Sequence, residues 1–186
     1  MATTYEVSCY TDPLGIEHLT GSLDMCIRYF GTREKGHLRW VSKFDAVDEL
    51  LDLPHNGHTR CRMSVNASPI SGRFEGGTAS VTARLQALRR LALPRSKGGG
   101  GYPVGLVIAP IMPIEDWMSH YTRLFDFISE ALDFDCDLTD FRVNLAPLHS
   151  GVEGSAATVV FSHPTRYGRG DTQRQAQQVW RHEVCL

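Results

Sequence analysis

Four side chains of distinct chemistry, the Cys9 thiol, the Lys43 ammonium, the Ser64 hydroxyl and the Asn66 amide, each stand at or near the end of a β-prone stretch, and Ala109 with Pro110 ends another. In parallel α/β folds the loops leaving the C-terminal strand ends converge on one rim, and functional groups collect there. These positions are therefore expected to face a common pocket. A lone cysteine at such a place is ordinarily a small buried hydrophobe, and a lone lysine is merely exposed. Their recurrence at successive strand ends is what points to a site.

Other groups with chemical potential have simpler explanations. His55 and His58 in PHNGH could hold a metal, but a turn built on Pro54, Asn56 and Gly57 accounts for them, and no third ligand follows at a recognisable spacing. No metal is assigned. The glycines at 98–101 lack the GxxxxGK[ST] pattern and its strand-to-helix setting, so the run 94–101 (PRSKGGGG) reads as a flexible loop. Ser, His and Asp occur without a GxSxG elbow. Asp12, Glu17 and His18 could serve acid–base chemistry, though a capped turn explains them equally.

The elements that must position the rim follow from periodicity. Residues 5–9 are β-prone and lead through Pro13 and Gly15 to a helical stripe of Leu23, Cys26, Ile27 and Phe30. Residues 37–43 read as a second strand, followed by a short helix with Val47, Leu50 and Leu51 on one face, ended by Pro54. Residues 59–66 alternate as a third strand, and Ser80 is the expected N-cap of a helix whose stripe is Val81, Leu85, Leu88 and Leu91. Residues 104–109 (VGLVIA) form a continuous apolar strand, followed by Trp117, Tyr121, Leu124, Phe125, Ile128 and Leu132 at helical spacing; a fifth strand begins near Leu138. Strands alternating with helices predict a parallel α/β arrangement of about four β/α units. Spacing alone leaves half a barrel and a small open sheet as alternatives. With the first strand so close to Met1, nothing precedes it to protect the sheet edge, and a truncated barrel is the expectation.

Composition narrows the class. At 186 residues, 42% hydrophobic and 22% charged, the chain suits one folded domain. No run approaches the roughly 20 apolar residues of a membrane span, and the first residues lack the pattern of a signal peptide, so a cytoplasmic protein without a membrane partner is expected. The five scattered cysteines, Cys9, Cys26, Cys61, Cys136 and Cys185, read as reduced thiols. A net charge of −2 argues against a broad nucleic-acid-binding surface. The densest basic run, Arg84, Arg89, Arg90, Arg95 and Lys97, reads as a solvated helix face.

Three blocks in order, SCYTDPLGIEHLTG (8–21), LRWVSKFDAVDELLDLPHNGHTRCRMSVN (38–66) and GYPVGLVIAPIMPIEDW (101–117), resemble spore photoproduct lyases. The resemblance covers residues 5–141 and implies an incomplete, TIM-like partial (β/α)6 barrel. It also implies radical S-adenosylmethionine (SAM) repair of the thymine dimer 5-thyminyl-5,6-dihydrothymine in UV-damaged DNA. A 4Fe-4S cluster would cleave SAM to a 5′-deoxyadenosyl radical that abstracts hydrogen from the lesion. By resemblance Cys9 takes the place of the thiol that returns a hydrogen atom to the thymine radical. Lys43, Ser64, Asn66 and Ala109 match positions lining the SAM site, and Thr11 matches one near the lesion.

Two departures qualify that implication. The family's CxxxCxxC cluster motif is absent from this sequence, and without three thiolates no cluster site forms. After Phe141, where the family continues with a strand like ELISHRFTPGSK, residues 142–160 read RVNLAPLHSGVEGSAATVV. Arg142–Asn144 can be encoded by CGA GTT AAT, which shifted by one base reads GAG TTA AT, the start of Glu-Leu-Ile. The expectation is therefore a partial radical-SAM barrel over 1–141 and a divergent, frameshifted tail over 142–186. Three roles stay open: a lyase fragment inactive alone, a non-catalytic module binding nucleoside, SAM or DNA, and one half of a split enzyme completed by an upstream cluster-bearing chain.

Overall fold

The computed structural model describes residues 2–7, 10–132, 138–145 and 158–161, the last two stretches as backbone strands. The described elements alternate as expected: β1 (Thr3–Glu6), α1 (Glu17–Thr20), α2 (Ser22–Gly31), β2 (Gly36–Ser42), β3 (Thr59–Val65), α3 (Ser68–Phe74), α4 (Val81–Ala92), β4 (Val104–Ile111), α5 (Trp117–Ala131), β5 (Leu138–Leu145) and β6 (Thr158–Phe161). Strands β1 to β5 lie side by side in chain order, every neighbouring pair parallel, and β6 adds antiparallel to β5. A doubly wound open sheet reverses its strand order at a switch point. This one never reverses, which is the connectivity of a (β/α) barrel segment.

The apolar face is set by strand alternation. Leu38 and Trp40 of β2, Cys61, Met63 and Val65 of β3, and Val104, Leu106 and Ile108 of β4 are buried in one cluster with Leu23 and Ile27 of α2 and Leu85, Leu88 and Leu91 of α4. Each such aliphatic side chain contributes about 1.5–3 kcal/mol on burial. The opposite face of β2 and β3 carries Arg39, Lys43, Arg62, Ser64 and Asn66, separated from the core residues by the period of two. The expected α4 cap is present, with Ala83 N donating to Ser80 Oγ at 3.1 Å.

Four local expectations change. Strand β1 ends at Glu6 rather than at Cys9. Between β2 and β3 the expected helix is a 3-10 turn, Asp48–Leu50. Pro54 closes the segment, yet Val47, Leu50 and Leu53 are still buried. Helix α3, which has Pro69 in its first turn, has no forecast counterpart.

The glycine run is an ordered cap, not a slack loop. Gly98 N donates to Arg95 O at 3.0 Å, Gly99 N to Pro94 O at 3.2 Å, Gly100 N to Arg90 O at 3.0 Å and Gly101 N to Leu93 O at 2.9 Å. The bonds to Arg90 O and Leu93 O satisfy carbonyls at the end of α4 that would otherwise be orphaned, and those to Pro94 O and Arg95 O close the turn that follows. Gly98 and Gly101 take φ of 77° and 71°, and a Cβ on Gly99 would stand 2.1 Å from Leu93 O, so only glycine fits.

Candidate functional site at the strand ends

The rim is built by three sets of hydrogen bonds. The first begins at Asp12, whose carboxylate accepts from Leu14 N at 3.1 Å and Gly15 N at 3.2 Å. It also accepts from Ser42 Oγ at 2.7 Å and Lys43 N at 2.6 Å. One side chain thus turns the loop after β1 and ties it to the end of β2. Glu17 likewise caps a helix, accepting from Leu23 N at 2.7 Å and Asp24 N at 2.9 Å at the start of α2. The capped-turn reading of both carboxylates is what the geometry gives.

The second set carries the charge. Lys43 Nζ donates to Glu75 Oε1 at 2.7 Å, and Arg84 Nη1 donates to Glu75 Oε2 at 2.7 Å. Arg84 is anchored in turn: Nη1 reaches Ser64 O at 2.8 Å, Nε reaches Ala79 O at 2.8 Å and Nη2 reaches Thr78 Oγ1 at 2.6 Å. The side chains of Lys43, Glu75 and Arg84 are 34%, 5% and 1% exposed. Burial alone would push the Glu75 carboxyl up; hydrogen bonds and charge from Lys43 and Arg84 outweigh it and hold the group below its ordinary value.

The third set joins β3 to β4. Asn66 Nδ2 donates to Pro110 O at 3.0 Å across from the cis Ala109-Pro110 bond, while Asn66 Oδ1 accepts from Ala67 N at 2.9 Å and Tyr121 OH at 2.8 Å. Tyr121 OH also accepts from Met112 N at 3.1 Å. Burial first, with the Glu75 charge adding, raises the Tyr121 phenol against the pull of the Met112 amide, so it stays a donor. A cleft of about 620 Å³ opens behind these groups, between α3, the start of α4 and α5, with Asn66, Glu75, Arg84, His120, Arg123 and Phe127 in its wall.

The forecast positions are thereby placed. Lys43 follows β2 directly, Ser64 and Asn66 bracket the end of β3, and Ala109 lies near the end of β4. Lys43 and the Ser64 carbonyl are joined through Glu75 and Arg84, and Asn66 is joined to the residue after Ala109. Ser64 and Asn66 are buried, Ala109 is half-buried, and Thr11 is exposed on the loop after β1. Cys9 lies outside the described residues.

One reading of a single residue changes. Arg84 belongs to no solvated face: it is buried, and the spacing held the signal, since residue 84 falls on the same helical stripe as Leu88 and Leu91. His55 is likewise structural. Its Nδ1 accepts from Gly57 N at 3.0 Å, which leaves Nε2–H to donate to Gly100 O at 3.0 Å. The ring stacks on Tyr102 at 3.8 Å. Sequence reasoning missed Glu75 and gave Tyr121 only a packing role. Nothing local in RFEGG marks Glu75, whereas an aromatic hydroxyl on a buried stripe needs a partner and could have flagged Tyr121.

Comparison with known proteins bears on the same segment. The family model described as spore photoproduct lyase matches residues 1–146. A spore photoproduct lyase from a Geobacillus species is 43% identical over 143 residues, covering 77% of this chain and 40% of that protein. The structure described as spore photoproduct lyase complexed with dinucleoside spore photoproduct is 41% identical, with a TM-score of 0.69 over 76% of this chain and 40% of its own. A double mutant described with bound AdoMet and dinucleoside spore photoproduct is 40% identical, with the same TM-score and coverage. The chain thus spans about two fifths of the length of the curated relatives it matches. Since that shared segment is the one holding β1 to β5 and the rim, the chain belongs to the spore photoproduct lyase family.

Proposed function

We propose that this chain forms part of the SAM-binding wall and lesion-facing rim of a radical SAM enzyme that repairs 5-thyminyl-5,6-dihydrothymine in UV-damaged DNA, and that by itself it does not catalyse the repair. The observation that carries the reading is the rim: Lys43, Ser64, Asn66 and Ala109 stand at the C-terminal ends of neighbouring strands in a sheet similar to solved relatives, one of which is described with AdoMet and the dinucleoside photoproduct. SAM offers a carboxylate, a ribose diol and an adenine face. Lys43 supplies an ammonium for the first and Ser64 a hydroxyl for polar contact, Ala109 leaves room for close approach, and Asn66 fixes the shape between β3 and β4. Thr11 is the proposed lesion contact. Cys9 is the proposed hydrogen-atom donor: its S–H bond is weaker than the C–H bond formed on the thymine radical, so the transfer is downhill and leaves a thiyl radical.

The described residues do not fit an iron–sulfur cluster. Cluster ligation needs several thiolates set together, the sequence has no CxxxCxxC, and among the described residues no three His, Cys, Asp or Glu side chains stand where they could hold a metal. Burial pushes both described thiols, Cys26 and Cys61, up and away from the thiolate form; at Cys26 the Glu17 charge adds to it. Anaerobic reconstitution with iron and sulfide tests the claim. No cluster absorbance and no SAM cleavage are expected, and cleavage of SAM by this chain alone would overturn it.

A second reading is favoured by the sheet edge. All four residues of β1 are exposed, and among the described strands β1 pairs only with β2. A cluster-bearing chain that adds a strand there would complete a split enzyme, and an adjoining reading frame containing CxxxCxxC would support it. For the tail, the family match ends at residue 146 while the chain runs to 186, which supports divergence from the family beyond that point; the proposed cause is a frameshift near Arg142. Sequencing the gene decides it, because an intact frame whose shifted translation shows no family motif would remove the idea.

Among the described residues no helix is long and apolar enough to cross a membrane.

A further inference from the structure

We propose that Glu75 and Arg84 are a positioning pair that holds the Lys43 ammonium at the rim, aimed to take an anionic group of the bound nucleoside ligand. The inference rests on the reading of the rim as a SAM site and names residues for which neither motif nor resemblance had given a role.

Lysine carries its charge on a flexible four-carbon stem, and a lysine at a strand end is ordinarily free to swing. Lys43 is held at three points. Its backbone N–H donates to Asp12 Oδ2 at 2.6 Å, its carbonyl accepts from Ala79 N at 3.0 Å, and its Nζ donates to Glu75 Oε1 at 2.7 Å. Glu75 cannot follow Lys43 outward, because its other oxygen accepts from Arg84 at 2.7 Å. Arg84 is fixed by Ser64 O, Ala79 O and Thr78 Oγ1, and Thr78 Oγ1 donates to Glu75 O at 2.7 Å. The chain of contacts therefore starts in β3 and α4, both packed on the core, and ends at the ammonium.

The charges sum in a useful way. Arg84 and Glu75 cancel as a buried pair, leaving the positive charge of Lys43 uncompensated at the surface end, where its side chain is 34% exposed. An ammonium has three N–H donors and Glu75 uses one. The others leave Lys43, pinned and partly exposed, able to donate to an anion that enters the rim. A pair serving only to stabilise the loop would have no reason to discriminate between ligands with and without that anion.

Two measurements test the pair. Calorimetric titration uses S-adenosylhomocysteine, which carries an amino-acid carboxylate, and methylthioadenosine, which lacks it. Glu75→Gln is expected to weaken the first about tenfold and the second by less than about twofold, with Glu75→Asp recovering most of the loss. Equal weakening of both ligands, or none, would overturn the proposal. Acetylation with acetic anhydride, read by mass spectrometry at Lys35, Lys43 and Lys97, needs no ligand. Lys43 should react several-fold more slowly than the other two, with the gap closing in Glu75→Gln, and equal rates in the unmodified sequence would overturn the pair. If neither ligand binds while Lys43 remains protected, the SAM reading of the rim fails and the pair stands. Should Glu75→Gln not fold, Lys43→Met must show the same ligand discrimination, and its failure to do so sinks the proposal.

Discussion

Replacing Arg84 by methionine should be among the most damaging single changes to the described fold, although the residue lies in a run of basic residues that reads as surface. Methionine keeps most of the stem's packing, so the loss falls on the guanidinium. That group is 1% exposed and donates to Glu75, Ser64 O, Ala79 O and Thr78. Removing one partner of a buried ion pair costs about 3–5 kcal/mol, and the stranded carbonyls of Ser64 and Ala79 fall within the same range of loss. Lys43 still covers one oxygen of Glu75, which argues for the lower half. At roughly 3 °C per kcal/mol for a chain of this size, the midpoint should fall by about 10 °C. Thermal unfolding gives the midpoint and urea unfolding the free energy, both followed through tryptophan fluorescence, to which the fully buried Trp40 contributes. Arg90→Met is the control: Arg90 pairs with Asp48 at the surface, and exposed pairs contribute little, so its midpoint should match the parent. A double-mutant cycle of Arg84→Met with Glu75→Gln should give a coupling of about 1–3 kcal/mol. A loss below about 1 kcal/mol for Arg84→Met, or additivity in the cycle, would refute the reasoning that the pair is buried and mutually dependent.

Two further outcomes are expected. Tyr121→Phe removes the donor to Asn66 Oδ1 and the acceptor for Met112 N, which should cost about 1–3 kcal/mol; a neutral result in urea titration would mean that the phenol does not hold β3 to β4. Acid should weaken the fold through Glu75. Its carboxyl is held low in the folded state, so its stabilisation is complete above the unfolded value of about 4.3 and is lost as pH falls through the lower folded value. Comparing unfolding of the parent and Glu75→Gln between neutral pH and pH ~3.5 isolates the effect: the variant should lose less stability over that interval, and equal slopes would contradict it.

Much of the architecture was legible because it depends on local periodicity. The stripe from Leu23 to Phe30, the alternation of β3, the Ser80 cap and the apolar run of β4 all follow from spacings within one element. The positions of Lys43, Ser64, Asn66 and Ala109 at strand ends followed from the same spacings. Two of the departures are equally physical. The β2 to β3 connection looked helical because Val47, Leu50 and Leu51 fit the period, but with Pro54 closing it the segment forms only the 3-10 turn Asp48–Leu50. The glycine run looked slack because composition cannot show that four successive N–H groups find carbonyls in the last turn of α4 and in the turn after it.

The sequence by itself determined the alternation of strands and helices, the family resemblance now matched over residues 1–146, and the kinds of group available at the strand ends. Only the tertiary structure decided strand order, because which strands pair depends on contacts distant in the chain and both a barrel segment and an open sheet share the same local pattern. Nor could any window of sequence show that Lys43 meets Glu75, 32 positions away, or that Ser64 O and Glu75 share one buried guanidinium. Charge on a helix face is solvated or buried according to what packs against it, and Arg84 is buried because β3 and the loop before α4 close over it.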